Sequence, residues 1–205
     1  MDTKTAMLSR QSIREYDPKV KIDQATLLKI LEEASSAPSS WNLQPWRFVV
    51  IQSPEMKTKL RPFMMFNTPQ IDTSSALILV LNDLDRYAMS PIMNQLDLDA
   101  GLITKEHFLV RQQKAEQARI TRTKESLDRE GLLDCGMVSQ NIMILARAYG
   151  YDTCPMGGFD RDQFMKTLEI DANRYKPVVL LSIGKRAKDA KETLRFPIEK
   201  ITTIK

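Results

Sequence analysis

Ala37-Pro38-Ser39-Ser40-Trp41-Asn42-Leu43-Gln44-Pro45-Trp46-Arg47-Phe48 sets small hydroxyls, amides, two prolines and two indoles between two regular elements. Upstream, Asp23 reads as a helix N-cap, and Ala25, Leu27, Leu28, Leu31 and Ala34 recur at helical spacing until Pro38 stops the pattern. Downstream, Phe48-Val49-Val50-Ile51 reads as a strand. Its continuous apolar character predicts burial on both faces. A polar, turn-rich segment held between a helix and a buried strand is well placed to carry a ligand.

Working outward, Ser53-Pro54-Glu55 opens a short helix, with Pro54 in its first turn. Ala76–Leu81 reads as a second strand and Pro177–Ile183 as a third, ended by Gly184. Tyr151–Cys154 is a shorter candidate strand, followed by the loop Pro155-Met156-Gly157-Gly158-Phe159 and by Asp160 as N-cap of a helix over 161–168. Ile103–Glu130 is charged throughout. Gly131–Tyr149 is apolar around most of its circumference and stops at Gly150, which predicts a helix buried on several sides. One chain of this size rarely covers a helix all round, so a dimer interface is expected there. The order of elements predicts an α+β or α/β protein whose helices cover a central sheet.

Composition narrows the function. At 205 residues, 42% apolar and 27% charged, the chain suits one soluble domain spanning 1–205. No apolar run has the length of a membrane span, and Met1–Thr5 lacks the apolar core of a secretory signal, so a cytoplasmic location and no membrane partner are expected. Two cysteines and a single histidine, His107, argue against a disulfide scaffold, a histidine-based metal site and Ser-His-Asp chemistry. No metal is expected. The net charge of +4 fits nucleic acid, a phosphate-bearing ligand or no charged partner at all, and the spread of bases among acids along the chain argues against nucleic acid.

Five groups could carry chemistry. Arg10, Ser12 and Arg14 alternate, so an extended backbone points them to one side, where they form a surface for a phosphate or stand as solvated charges. Gly157-Gly158 lets a backbone approach a flat ligand, or simply turns a strand into a helix. Ser39, Ser40, Asn42 and Gln44 supply donors and acceptors without any general base, which suits the edge of a heteroaromatic ring better than hydrolysis. Trp41 and Trp46 could stack on a ring, although Trp46 opens the buried strand and reads as core. Asn67 and Gln70 either bind a ligand or cap the loop around Pro69. Lys185, Arg186 and Arg195 are cations after the last strand, ligands for a phosphate or a solvated tail. There is no GxGxxG, P-loop or GxSxG segment. Cys154 reads as a small buried residue.

In this order, the segments resemble the nitroreductase family of flavoproteins. Arg10-Gln11-Ser12-Ile13-Arg14-Glu15-Tyr16, Ala37–Trp46 and Pro155–Phe159 carry the likeness, with Gly184 and the basic residues beyond it. The resemblance implies an α+β three-layer sandwich with a mostly antiparallel central sheet, in a domain-swapped type of homodimer with FMN at the interface. It implies that Arg10 and Arg195 bind the FMN phosphate, with Lys185 and Arg186 nearby, while Ser12 orients the cofactor and Arg14 lies at N1 and O2. Pro38, Ser39, Ser40 and Asn42 would reach the partner subunit's FMN, with Gln44 supporting their loop. Asn67 and Gln70 would line the pyrimidine edge. In the loop that faces the flavin, Pro155 precedes Met156, which would pack on the ring, and Gly157 and Gly158, which would offer N–H groups to N5 and O4. The implied activity is reduction of a nitroaromatic, quinone or similar oxidant by NADH or NADPH, with ping-pong kinetics. A flavin-binding redox sensor or flavin store is the alternative. Two departures stand out: Gln70 replaces a residue basic in many members, and Gly157 one acidic in some.

Overall fold

In the computed structural model, which describes residues 1–205, four strands form one antiparallel sheet in the order β1-β2-β4-β3. They are β1 (Trp46–Ile51), β2 (Ala76–Asp83), β3 (Asp152–Met156) and β4 (Tyr175–Gly184). Eight helices accompany them: α1 (Thr3–Ser9), α2 (Gln24–Ala34), α3 (Pro54–Leu60), α4 (Thr68–Thr73), α5 (Ser90–Asp99), α6 (Lys105–Thr121), α7 (Lys124–Ala148) and α8 (Arg161–Thr167). The pleat divides β2 between two cores. Ala76, Ile78 and Val80 face α2 and α7 through Leu27, Ile30, Val138 and Ile142. Leu77, Leu79 and Leu81 face Leu60, Ile71, Phe164 and Met165 of α3, α4 and α8. The result is the expected α+β layering, helices over both faces of an antiparallel sheet.

Local signals hold at the helix starts. Asp23, Ser53 and Asp160 each accept a backbone N–H of the first turn of α2, α3 and α8. Burial on both faces is complete for β2, whereas residues 47–50 of β1 are only half-buried because β1 is an edge strand. Pro155 and Met156, expected in a loop, extend β3 instead. β3 is the other edge, where a proline's missing N–H breaks no ladder. Pro177 lies where the β2–β4 register shifts, beyond the end of β3 pairing at Met156–Leu180.

The long helical region departs most from expectation. The charged stretch breaks at Arg122, and Thr123 caps a new helix by accepting Ser126 N–H, so α7 begins seven residues before Gly131. Gly131 lies inside α7 because Asn82 occupies its side-chain space: a Cβ there would meet Asn82 Oδ1 at 2.0 Å. Within one chain α7 is not covered all round. Its inner side lies against α2 and the sheet, while Leu132 and Leu133 remain 49% and 67% exposed. The excursion over 84–123 joins the rest through Leu84, Tyr87, Ala115 and Leu127, which pack with Leu43 from the Ala37–Phe48 stretch. No helix is long and apolar enough to cross a membrane.

Candidate functional site

Residues 10–17 run extended beside the sheet. Ile13 N–H donates to Thr153 O on β3, and Asp17 N–H to Lys185 O. That pairing buries Ile13 and Tyr16 and leaves Arg10, Ser12 and Arg14 to line a concavity of about 190 Å³. Gln11 and the tail residues Ala190, Lys191, Thr193 and Arg195 complete its wall. Four cations line it and no acid does. Arg10 and Arg14 take part in no ion pair, and Arg195 bonds only to its own turn, at Thr193 and Leu194. An acid-free pocket with several guanidiniums suits a phosphate.

A second polar group adjoins this wall through Cys154. Burial pushes its thiol above the usual range, opposed by Gln70, Arg14, Ser12 and Arg10. Gln70 is 1% exposed; its Nε2 donates to Asn67 Oδ1 at 3.1 Å, and Asn67 Nδ2 donates to Gly158 O at 2.9 Å. This chain of amides leaves Gln70 Oε1 buried and without a partner. A Cβ at Gly158 would approach Asn67 Nδ2 at 3.1 Å, so the glycine permits the close fit. The backbone N–H groups of Gly157 and Gly158 donate to nothing in the chain. An orphaned acceptor, free backbone donors and an adjoining cationic pocket match the edge of a flavin ring and its phosphate, so these residues fit FMN.

The structure places three expected ligands elsewhere. Met156 is 2% exposed, its side chain packed in the core with Phe159 and Leu180, while Pro155 is the exposed residue; the pleat of β3 turns alternate residues to opposite faces. Met156 therefore offers no face to a ring. Lys185 does not line the concavity: its Nζ donates to Gly150 O at 2.9 Å, next to the C-terminus of α7. Arg186 is likewise engaged, bound to Asp152 through both Nε and Nη2. Lys191 takes their place, a residue the sequence hinted at only through the basic character of its tail.

The Ser39–Gln44 loop lies elsewhere in the same chain and lines none of this concavity. Trp41, Asn42 and Gln44 hold φ values of +57°, +54° and +46°, a left-handed backbone that a bulky residue adopts at a cost. Four contacts impose it. Gln44 N–H donates to Ser39 Oγ at 3.0 Å, Gln44 Nε2 to Asn42 Oδ1 at 3.3 Å, Arg47 Nη1 to Gln44 O at 2.9 Å, and Ser40 N–H to Asp134 Oδ1 at 3.4 Å. Burial holds the Asp134 carboxyl above its ordinary range, and the buried Arg86 faces it at 3.5 Å. Pro38 precedes this loop. Ser39, Ser40, Asn42 and Gln44 thus form one unit, and Arg10, Ser12, Arg14, Arg195, Asn67, Gln70, Gly157 and Gly158 form another.

The chain is similar to known proteins along nearly its whole length. The family model described as "Nitroreductase family" matches residues 7–185. A Bacillus subtilis protein, YdgI, provisionally named an NAD(P)H nitroreductase, is 44% identical over 200 residues, covering 97% of this chain and 95% of its own. The CLA biosynthesis enone reductase of Lactiplantibacillus plantarum is 36% identical over 204 residues, covering 95% and 90%. Among solved structures, a provisionally identified nitroreductase of Exiguobacterium sibiricum, in complex with FMN, superposes with a TM-score of 0.96 at 38% identity over 100% of this chain and 98% of its own.

Proposed function

This chain belongs to the nitroreductase family, and we propose on that footing that it is an FMN-binding, NAD(P)H-dependent oxidoreductase, a single domain over 1–205 working as a cytoplasmic homodimer. The observation that carries the reading is the acid-free concavity of Arg10, Arg14, Lys191 and Arg195 beside the unpartnered Gln70 Oε1 and the free N–H groups of Gly157 and Gly158. Arg10 and Arg195 would hold the phosphate and Ser12 the chain next to it. Asn67, Gln70, Gly157 and Gly158 would hold the ring edge, beside the exposed Pro155.

Bound FMN supplies a ring that accepts a hydride from NADH or NADPH and passes reducing equivalents to an acceptor. The chain contributes position and charge. Arg14, with no acid to neutralise it, favours whatever negative charge develops beside it. For a nitroaromatic the balance is NAD(P)H plus a proton and R–NO2 giving NAD(P)+, R–NO and water; quinones and enones need only the hydride and one proton. One opening beside the ring would serve reductant and acceptor in turn, giving ping-pong kinetics. The Ser39–Gln44 loop, remote from the concavity of its own chain, would reach the FMN of the partner across the exposed Leu132–Leu133 face of α7.

The test begins with the purified protein. It should take up FMN, and anaerobic mixing with NADH or NADPH should bleach the bound cofactor. A protein that takes up no FMN defeats the proposal. One that binds FMN yet is reduced by neither nucleotide is a flavin sensor or store. Arg14→Ala should lower the flavin midpoint potential, and an unchanged potential removes Arg14 from that role.

A further inference from the structure

A second cationic cavity, of about 290 Å³ against about 190 Å³ for the one at Arg10, lies at the C-terminal end of α4, the helix that carries Asn67 at its other end. Lys21 ahead of α2, Lys57 of α3, Arg61 at the end of α3 and Ser74 after α4 line it. Gln52, just past β1, donates from Nε2 to Ile22 O at 3.3 Å and so fixes the Lys21 segment against this wall. No residue is shared with the concavity of Arg10, Arg14 and Arg195.

Charge here is out of balance. The one acid in the wall, Asp72, is taken by Arg61, Nε donating to Oδ1 at 2.7 Å and Nη2 to Oδ2 at 2.9 Å. Neither Lys21 nor Lys57 joins an ion pair. Lys57 is half-buried, and its ammonium reaches only Ser74, donating to the backbone O and, at 3.4 Å, to Oγ. Neutral oxygens satisfy its N–H groups but leave its charge without a counter-charge. Ser74 is 1% exposed, and its own O–H donates to nothing in the chain. Burial and the charge of Lys21 draw the Lys57 amine down to about 8, with Asp72 opposing the change; a dianion between the two lysines offsets both causes. Pro54 and Ile71 are the only apolar members of the wall, so it offers no surface to an aromatic ring.

We infer that this cavity binds a small hydroxylated phosphate monoester, with Lys57 and the Ser74 hydroxyl donating to the phosphate at the floor and Lys21 neutralising it at the mouth. Gln52 Oε1 and Thr58 Oγ1 accept from the ligand's hydroxyl groups; the Thr58 proton is already given to Pro54 O at 2.8 Å. The inference stands apart from the flavin reading, since no residue of the flavin site takes part. Free phosphate has the same charge chemistry, so the test separates the two sources.

The probes are inorganic phosphate, glycerol 3-phosphate and glycerol, titrated by calorimetry at constant ionic strength into the full chain in the presence of excess FMN. Both phosphates should bind saturably and glycerol should not, with glycerol 3-phosphate the tighter. Lys57→Met should weaken both phosphates about tenfold or more, and Lys21→Met about two- to fivefold. Arg10→Ala should change neither. No saturable binding, or a loss in Arg10→Ala in place of Lys57→Met, overturns the site. Glycerol 3-phosphate no tighter than phosphate gives the cavity to the free ion and overturns the monoester. Should Lys57→Met fail to fold, the wild type decides. Its native state holds fewer protons than the unfolded chain between about 8 and 10.5, so stability rises with pH there. Phosphate bound beside Lys57 keeps the amine charged to higher pH, so the rise should be shallower in phosphate than in chloride of equal ionic strength. An unchanged slope refutes the site.

Discussion

Arginines occur in this chain in two opposite circumstances. Arg47 and Arg174 close on Asp83, which is fully buried at the end of β2, and Arg147 and Arg186 close on Asp152, 3% exposed at the start of β3. Around the concavity, Arg10, Arg14 and Arg195 reach no acid although several acids exist nearby in sequence; Glu15, for instance, pairs outward with Lys188. Each buried carboxylate needs its partners, since an unpaired one costs several kcal/mol. The unpaired arginines do the reverse. Their like charges repel one another, and a bound dianion relieves that repulsion. Paired arginines therefore mark what holds the sheet together, and unpaired ones in a concavity mark where a ligand belongs.

The comparison can be broken most directly at Asp83. Asp83→Ala leaves Arg47 and Arg174 without their shared partner, and urea unfolding should show a loss of about 3 kcal/mol, while FMN affinity per folded molecule stays the same. A stable Asp83→Ala protein with weakened FMN binding would invert the assignment of roles. At the concavity, Arg10→Ala should raise the FMN dissociation constant roughly ten- to a hundredfold, the value of a charge-assisted hydrogen bond. Its urea midpoint should hold or rise. With riboflavin, which lacks the phosphate, the penalty of Arg10→Ala should largely vanish, and a penalty of the same size would show that Arg10 does not contact phosphate.

A pH-dependent effect concerns a cation between the two classes. Lys57 on α3 is half-buried, donates to Ser74 O and has no acid in hydrogen-bonding reach. Burial, aided by the charge of Lys21, lowers its pKa to about 8 from 10.5. The unfolded chain then holds more protons than the native one between those values, so stability should rise with pH across that window. Lys57→Met should abolish the rise, as thermal unfolding at pH 7 and pH 10 will show. A wild-type profile identical to that of Lys57→Met would mean the amine is solvated.

Much of the fold was legible before the structure. Caps at Asp23, Ser53 and Asp160 and the apolar run of β2 involve residues within one turn or one strand, where local forces decide. The break before Thr123 was missed because the charged stretch has no apolar period to interrupt, and Gly131 misled because its reason, Asn82, is far away in sequence. In the site, Arg10, Ser12 and Arg14 could be read as one surface because an extended backbone alternates its side chains. Met156 could not be placed, since the face a strand residue takes depends on register with β4. The exposed Trp41 was visible as an indole in a polar loop, but its strain was not.

By itself, the amino-acid sequence determined the periodic elements, the caps and the kind of chemistry available: hydroxyls, amides and guanidiniums, with one histidine, out in the charged α6. Those are properties of residue type and near neighbours. Only the tertiary structure decided which cations are neutralised and which are free, separating Arg186 and Lys185 from Arg195 and Lys191, and which side chains face the core. Charge pairing and burial depend on groups brought together from distant parts of the chain, and no short stretch contains that information.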